Sequence, residues 1–168
     1  MMKTFTDAAG RTWTIALNLG TALAVKEKLE IDLLQPEAGN PPLLTRLGTD
    51  ELLLGEVLCA LLEEQFEAHK VTAEDVRAGF DGATLLAAQK AFYEELVDFF
   101  RQRGRADRAR AVETQATMIA KAVAAIETRI EGIDVDKVID EVVSEQSESN
   151  HGAMSGSSPE ASGSIPDR

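Results

Sequence analysis

One cysteine, one tryptophan, one tyrosine and two histidines stand in 168 residues. A lone cysteine excludes an internal disulfide and any cysteine metal cluster. Two histidines leave no histidine-rich site. Serine is missing from residues 1–143, and all eight serines fall between Ser144 and Ser164. A serine nucleophile inside a folded domain is therefore excluded. No run of about 18 apolar residues exists, as a membrane-crossing helix would need, so no membrane partner is expected. The N-terminal MMKTFTDAAGRTW lacks the apolar stretch of a signal peptide, and the chain reads as cytoplasmic. Cys59, inside an apolar run, reads as a buried, reduced thiol.

Positive charge is also scarce. Lys and Arg number 17 against 29 Asp and Glu, a formal net charge of −12. A chain this acidic repels phosphate backbones, so no nucleic-acid partner is expected. The acidity is uneven. Residues 48–100 hold 12 acidic and 3 basic side chains, whereas residues 1–47 and 101–143 are each balanced. Arg101, Arg103, Arg105, Arg108 and Arg110 crowd together with only Asp107 among them. This basic turn is expected to offset the acidic middle helices, within the chain or across a subunit contact. Phe99 and Phe100 precede it but continue a core stripe, so they do not make a nucleic-acid surface.

What is present points to a mainly α fold. It should be a helical bundle with a short N-terminal β-hairpin, a C-terminal helical arm and a disordered tail. Residues 3–6 and 12–17 alternate and are rich in Thr and aromatic or β-branched residues, as strands are. The loop between them carries Gly10, where a positive φ is expected. Trp13, Ile15 and Leu17 share one face, which must lie on helices because a lone hairpin is marginal in water. A helix over 19–29 follows, capped by Asn18 or Thr21. A breaker cluster occupies 35–42, and a short helical turn carries Leu43, Leu44 and Leu47. Asp50 caps a helix through about Ala68, with Leu52, Leu53, Leu54, Val57, Leu58, Leu61, Leu62 and Phe66 on a wide apolar stripe. Gly55 inside it suggests close approach of another helix. Thr72 and Asp75 form a capping box. Asp81 starts a helix through about Arg103, with Leu85, Phe92, Leu96 and Phe99 on one stripe and Leu86, Tyr93, Val97 and Phe100 on the next.

Gly104 breaks the pattern and joins a helix over 106–131. In it Ala109, Val112, Ala116, Ile119, Val123, Ile126, Ile130 and Ile133 follow a heptad seam. Such a seam either packs on another helix of the same domain or joins copies into a homo-oligomer. Beyond Gly132, Val135, Val138, Ile139 and Val142 share one face of a short amphipathic arm that needs a surface to bind. From Ser144 onward the chain holds almost no large apolar residue and cannot offset its conformational entropy, so residues 144–168 should be disordered. The expected organisation is a hairpin plus helical domain over 1–103, a helical extension over 104–143, and that tail.

Templates for chemistry fail. There is no Walker lysine motif, and Gly79-Phe80-Asp81-Gly82 is a turn between helices. His69 near Glu63, Glu64 and Glu67 reads as a helix-terminal residue. Within residues 1–143 no Glu-x-x-His spacing exists for a di-carboxylate metal site. Asp134, Asp136 and Asp140 lack the glycine and terminal glutamate of a calcium loop. No enzyme activity, cofactor or metal is expected.

The order of segments carries a resemblance. A hairpin ends in Thr12-Trp13-Thr14-Ile15-Ala16-Leu17-Asn18, and a helix closes with Leu29-Glu30-Ile31-Asp32-Leu33-Leu34. Then come Val71-Thr72-Ala73-Glu74-Asp75-Val76 and a helix ending Phe99-Phe100-Arg101. This resembles the small, mostly helical phage and prophage tail assembly chaperones over residues 3–103. Residues 104–143 lie outside the family pattern. The resemblance implies a non-enzymatic role in a bacterial or phage-infected cell. Family members bind the tape measure protein during tail morphogenesis and shield its hydrophobic helices until tube subunits replace them. The alternatives are a structural component of the finished particle or a general helical adaptor. Leu53, Val57, Leu61, Phe92 and Leu96 are the candidates for client or core surface. Val112, Ile119, Val123, Ile126 and Ile130 are the candidates for the seam, and Val138 and Val142 for the arm.

Overall fold

A computed structural model describes residues 2–133 and 135–149, with side chains through Ser144. The described chain is mainly helical after a two-stranded N-terminal hairpin. It divides into two compact units, residues 1–123 and 124–168.

In the first unit, β1 (Lys3–Thr6) and β2 (Thr12–Ile15) pair antiparallel, with Phe5 opposite Trp13. Gly10 at the turn has φ +80°, the left-handed region where glycine carries no Cβ penalty. Trp13 is fully buried, and Phe5, Ile15 and Leu17 share its environment. The loop carries more than turn chemistry. Asp7 is buried, and its carboxylate accepts four hydrogen bonds: from Ala9 N (3.0 Å), Arg11 N (2.9 Å), Arg11 Nε (2.7 Å) and Trp13 Nε1 (2.9 Å). Burial alone would raise the Asp7 pKa, but the donors from Trp13 and Arg11 outweigh it and hold the group below its usual value. Asp7 thus ties the turn to the Trp13 anchor.

Helix α1 (Leu19–Leu29) opens with a capping box in which Asn18 and Thr21 each bond the other's backbone N–H. Both expected caps act together. α2 (Leu43–Thr49) buries Leu43, Leu44 and Leu47. α3 (Glu51–Leu62) is capped by Asp50 and buries Leu54, Val57, Leu58, Cys59, Leu61 and Leu62. The helix expected to run on to Ala68 instead tightens into a 3-10 turn at Glu63–Gln65 and resumes as α4 (Phe66–His69). That turn sets Gln65 against the free edge of β2. Its Oε1 accepts from Thr14 N (3.0 Å) and its Nε2 donates to Thr14 O (2.8 Å), so one carboxamide satisfies backbone groups that a third strand would otherwise fill.

Thr72 and Asp75 form the capping box of α5 (Ala73–Ala78). The hairpin loop docks on the C-terminal end of this helix. Ala8 N donates to Gly79 O (3.0 Å), and Arg11 donates to Asp75 O (3.0 Å). A Cβ at Gly79 would stand 2.5 Å from the Arg11 guanidinium and 3.0 Å from Asp7 Oδ2. A side chain there would have to displace the Arg11 guanidinium from Asp7. α6 (Gly82–Gln102), capped by Asp81, supports the hairpin and buries Phe92, Tyr93, Leu96, Val97 and Phe100.

Two expectations about close packing are corrected. Gly55 of α3 faces open space, with nothing within 4 Å of where its Cβ would be, so no helix approaches it. The close approach is at Gly48 of α2, where a Cβ would lie 2.8 Å from Gln115 Nε2 and 3.3 Å from Ile119 Cδ1. The apolar stripes are also narrower than the sequence suggests. Leu52, at the first turn of α3, is 84% exposed and Leu86 is half exposed.

Helix α7 (Ala106–Glu131) follows a turn at Gly104, where φ is +74°. Its residues through Val123 belong to the first unit and the rest to the second. The second unit also holds α8 (Val135–Ser149). This helix runs past Val143 into a stretch expected to be disordered. The Ser144 hydroxyl donates back to Asp140 O (2.7 Å), and the good helix formers Glu145, Gln146 and Glu148 follow. Residues 150–168, the remainder of the expected disordered tail, lie outside the described residues.

Candidate interaction surface

The expected site residues separate by burial. Val57, Leu61, Phe92 and Leu96 are buried in the core of the first unit, and Leu53 packs against it. Of the two roles open to these five, client or core surface, they occupy the core.

The heptad seam of α7 divides along its length. Ala109 and Val112 are buried, and Ala116 and Ile119 pack against the core. Val123 is half-buried. Beyond it Ile126 is 57% exposed, Ile130 64% and Ile133 52%. The covered part has identifiable supports. Ile119 and Gln115 lie against Gly48 of α2. Arg108 donates to Leu34 O (2.6 Å), bonds Glu37 through Nε (3.1 Å) and lies over the Phe100 ring. Arg101 of α6 pairs with Glu113 of α7.

These contacts also correct the within-chain reading of the arginine turn. Its ion-pair partners are Glu113, Asp107 and Glu37, none of them in the acidic segment 48–100. The reason is geometric: the Gly104 turn carries the chain back toward the 34–37 loop. The Arg105 guanidinium holds the Asp107 carboxyl well below the usual carboxylate range. The acidic segment finds its cations elsewhere: Lys3 with Asp98 (3.1 Å), Lys28 with Glu63, and Arg77 with Glu56 (2.9 Å). Such exposed pairs contribute little each.

In the second unit, α8 exposes its apolar residues. Val135 is 62% exposed, and Val138, Ile139 and Val142 are each about half exposed. They recur at helical spacing and form one aliphatic face.

His69 and Cys59 are both engaged in packing. His69 packs its ring on Trp13, with centroids 4.4 Å apart. Cys59 is buried, and burial pushes its thiol up, away from the reactive thiolate. Among the described residues no group of three or more His, Cys, Asp or Glu is placed to hold a metal ion, and no helix is long and apolar enough to cross a membrane. An open groove of about 530 Å³ lies between Pro36, Pro42 and Thr45 on one side and Arg110, Thr114 and Gln115 of α7 on the other.

No family model, no curated protein and no solved structure matches this chain.

Proposed function

We propose that this protein is a non-enzymatic assembly chaperone of the phage-tail type, which binds and solubilises a long helical client, the tape measure protein. One observation carries the reading. A folded unit with a closed core leads into a second unit whose isoleucines and valines, from Ile126 to Val142, stand exposed on helices. Exposed aliphatic stripes on a helical arm suit the shielding of another apolar helix. The acidic exterior favours solubility while such stripes are uncovered. The resemblance over residues 3–103 supplies the biological setting.

Co-expression with a tape measure protein tests it. The client should become soluble with this protein and aggregate without it, and purified particles should lack the protein. If finished particles contain it in fixed stoichiometry, it is a structural component.

A further inference from the structure

The aliphatic face of α8 has a charged frame that restricts what can cover it. Val135, Val138, Ile139 and Val142 form the face, each about half exposed or more. Among the residues whose side chains are described, the same helix carries Asp136, Asp140 and Glu141 against Lys137. At about 100° per residue, Asp136 borders the face beside Ile139 and Glu141 borders its other edge beside Val138, whereas Asp140 lies toward the far side of the helix. From that arrangement we infer that α8 docks a basic amphipathic helix of a partner protein, its aliphatic stripe on Val138 and Val142 and its Lys or Arg side chains beside Asp136 and Glu141.

The charge selects among occupants. A second copy of α8 would bring like charges together along the margins, which opposes self-pairing. An anionic lipid surface would repel this helix for the same reason. A basic helix gains from both parts of the surface: apolar contact at the centre and charge complementarity at the rim, where it also speeds encounter and sets orientation. The inference rests on the client-binding reading above and specifies the chemistry of the client segment.

Two synthetic helical peptides with the same leucine stripe test it, one with lysines on its polar face and one with glutamates. Fluorescence anisotropy against the full chain should show the lysine peptide binding at least about tenfold more tightly, with affinity falling as salt rises. The double substitution Val138→Asp, Val142→Asp should cost at least about tenfold in lysine-peptide affinity. Because it adds negative charge, a loss cannot come from weaker general attraction. Should that variant lose helicity by circular dichroism, Asp136→Lys with Glu141→Lys serves instead. It leaves the aliphatic face intact and should reverse the peptide preference.

Equal binding of the two peptides, or undiminished binding by the valine variant with its helicity intact, overturns the inference. So does a wild-type oligomer in sedimentation that the valine substitutions dissolve, because a second copy then covers the face. If co-expression solubilises the client while the peptides are not discriminated, the charge assignment alone fails. If the peptides are discriminated but the tape measure protein stays insoluble, the tail-assembly reading alone fails.

Discussion

Val112 and Ile126 occupy equivalent positions of one heptad repeat in one helix, yet Val112 is fully buried and Ile126 is 57% exposed. Nothing in the repeat itself separates them. The first half of α7 meets α2 at Gly48, the 34–37 loop through Arg108, and α6 through the Arg101–Glu113 pair. The second half belongs to another unit and presents the same kind of stripe uncovered. A periodic apolar face is therefore a capacity for burial, and each half of this helix uses that capacity differently.

The comparison breaks most directly by placing a charge in each half. Val112→Asp buries an unpaired carboxylate and should cost about 4 kcal/mol or more, a large part of a typical domain's stability. Ile126→Asp should stay within about 0.5 kcal/mol, because solvent already reaches the site. Urea unfolding of both variants decides it, and equal losses would mean that the second half is covered as well.

Anchors in the first unit come next. Trp13→Ala should cost about 3–5 kcal/mol. Asp7→Asn should cost about 1–3 kcal/mol, since an amide cannot accept from all four donors that Asp7 satisfies. Neither should alter the helicity of the α8 arm, which a helical readout confined to residues 135–149 would report.

The Asp7 site also makes stability depend on pH in a definite direction. Its folded pKa lies below the ordinary 3.8. Its contribution is complete above the unfolded value and is lost as pH falls through the folded one. Between pH 5 and pH 3, Asp7→Asn should therefore lose less stability than the wild type. Parallel acid titrations of thermal melting would show it, and identical slopes would mean that Asp7 is not held as the structure describes.

The smallest effects sharpen the contrast between open and crowded helix positions. Gly55→Ala should gain about 0.5–1 kcal/mol from helix propensity, because nothing meets the added methyl. Gly48→Ala should gain less or nothing, because Gln115 and Ile119 must give way. A larger gain at Gly48 would mean that α7 is not seated against α2.

Much of the architecture was legible in residue order. The hairpin, the paired caps at Asn18 and Thr21, the Thr72–Asp75 box, the Gly104 turn and the length of α7 all follow from local chemistry, in which the partners stand within a few residues of each other. Features that depend on distant residues were misread or missed. Gly55 and Gly48 are both helical glycines, and only the fold shows which one a neighbour touches. The partners of the arginine turn within the chain, Glu113, Asp107 and Glu37, depend on the fold in the same way. The spacing of Asp7 from Gly10 and Arg11 marks a turn, but its bond to Trp13 Nε1 depends on how the strand returns. The 3-10 turn at Glu63–Gln65 belongs to this group, since Gln65 makes its bonds to Thr14, far away in the chain.

By itself the sequence determined the helical class, the N-terminal hairpin, the heptad period of α7 and the aliphatic face of α8, because each is written in spacings a single element can carry. Only the tertiary structure decided where along α7 the seam stops being core. Periodicity specifies which side chains share a face, whereas burial requires a second surface, and that surface comes from residues 34–48 and 100–101, far from most of the helix in sequence.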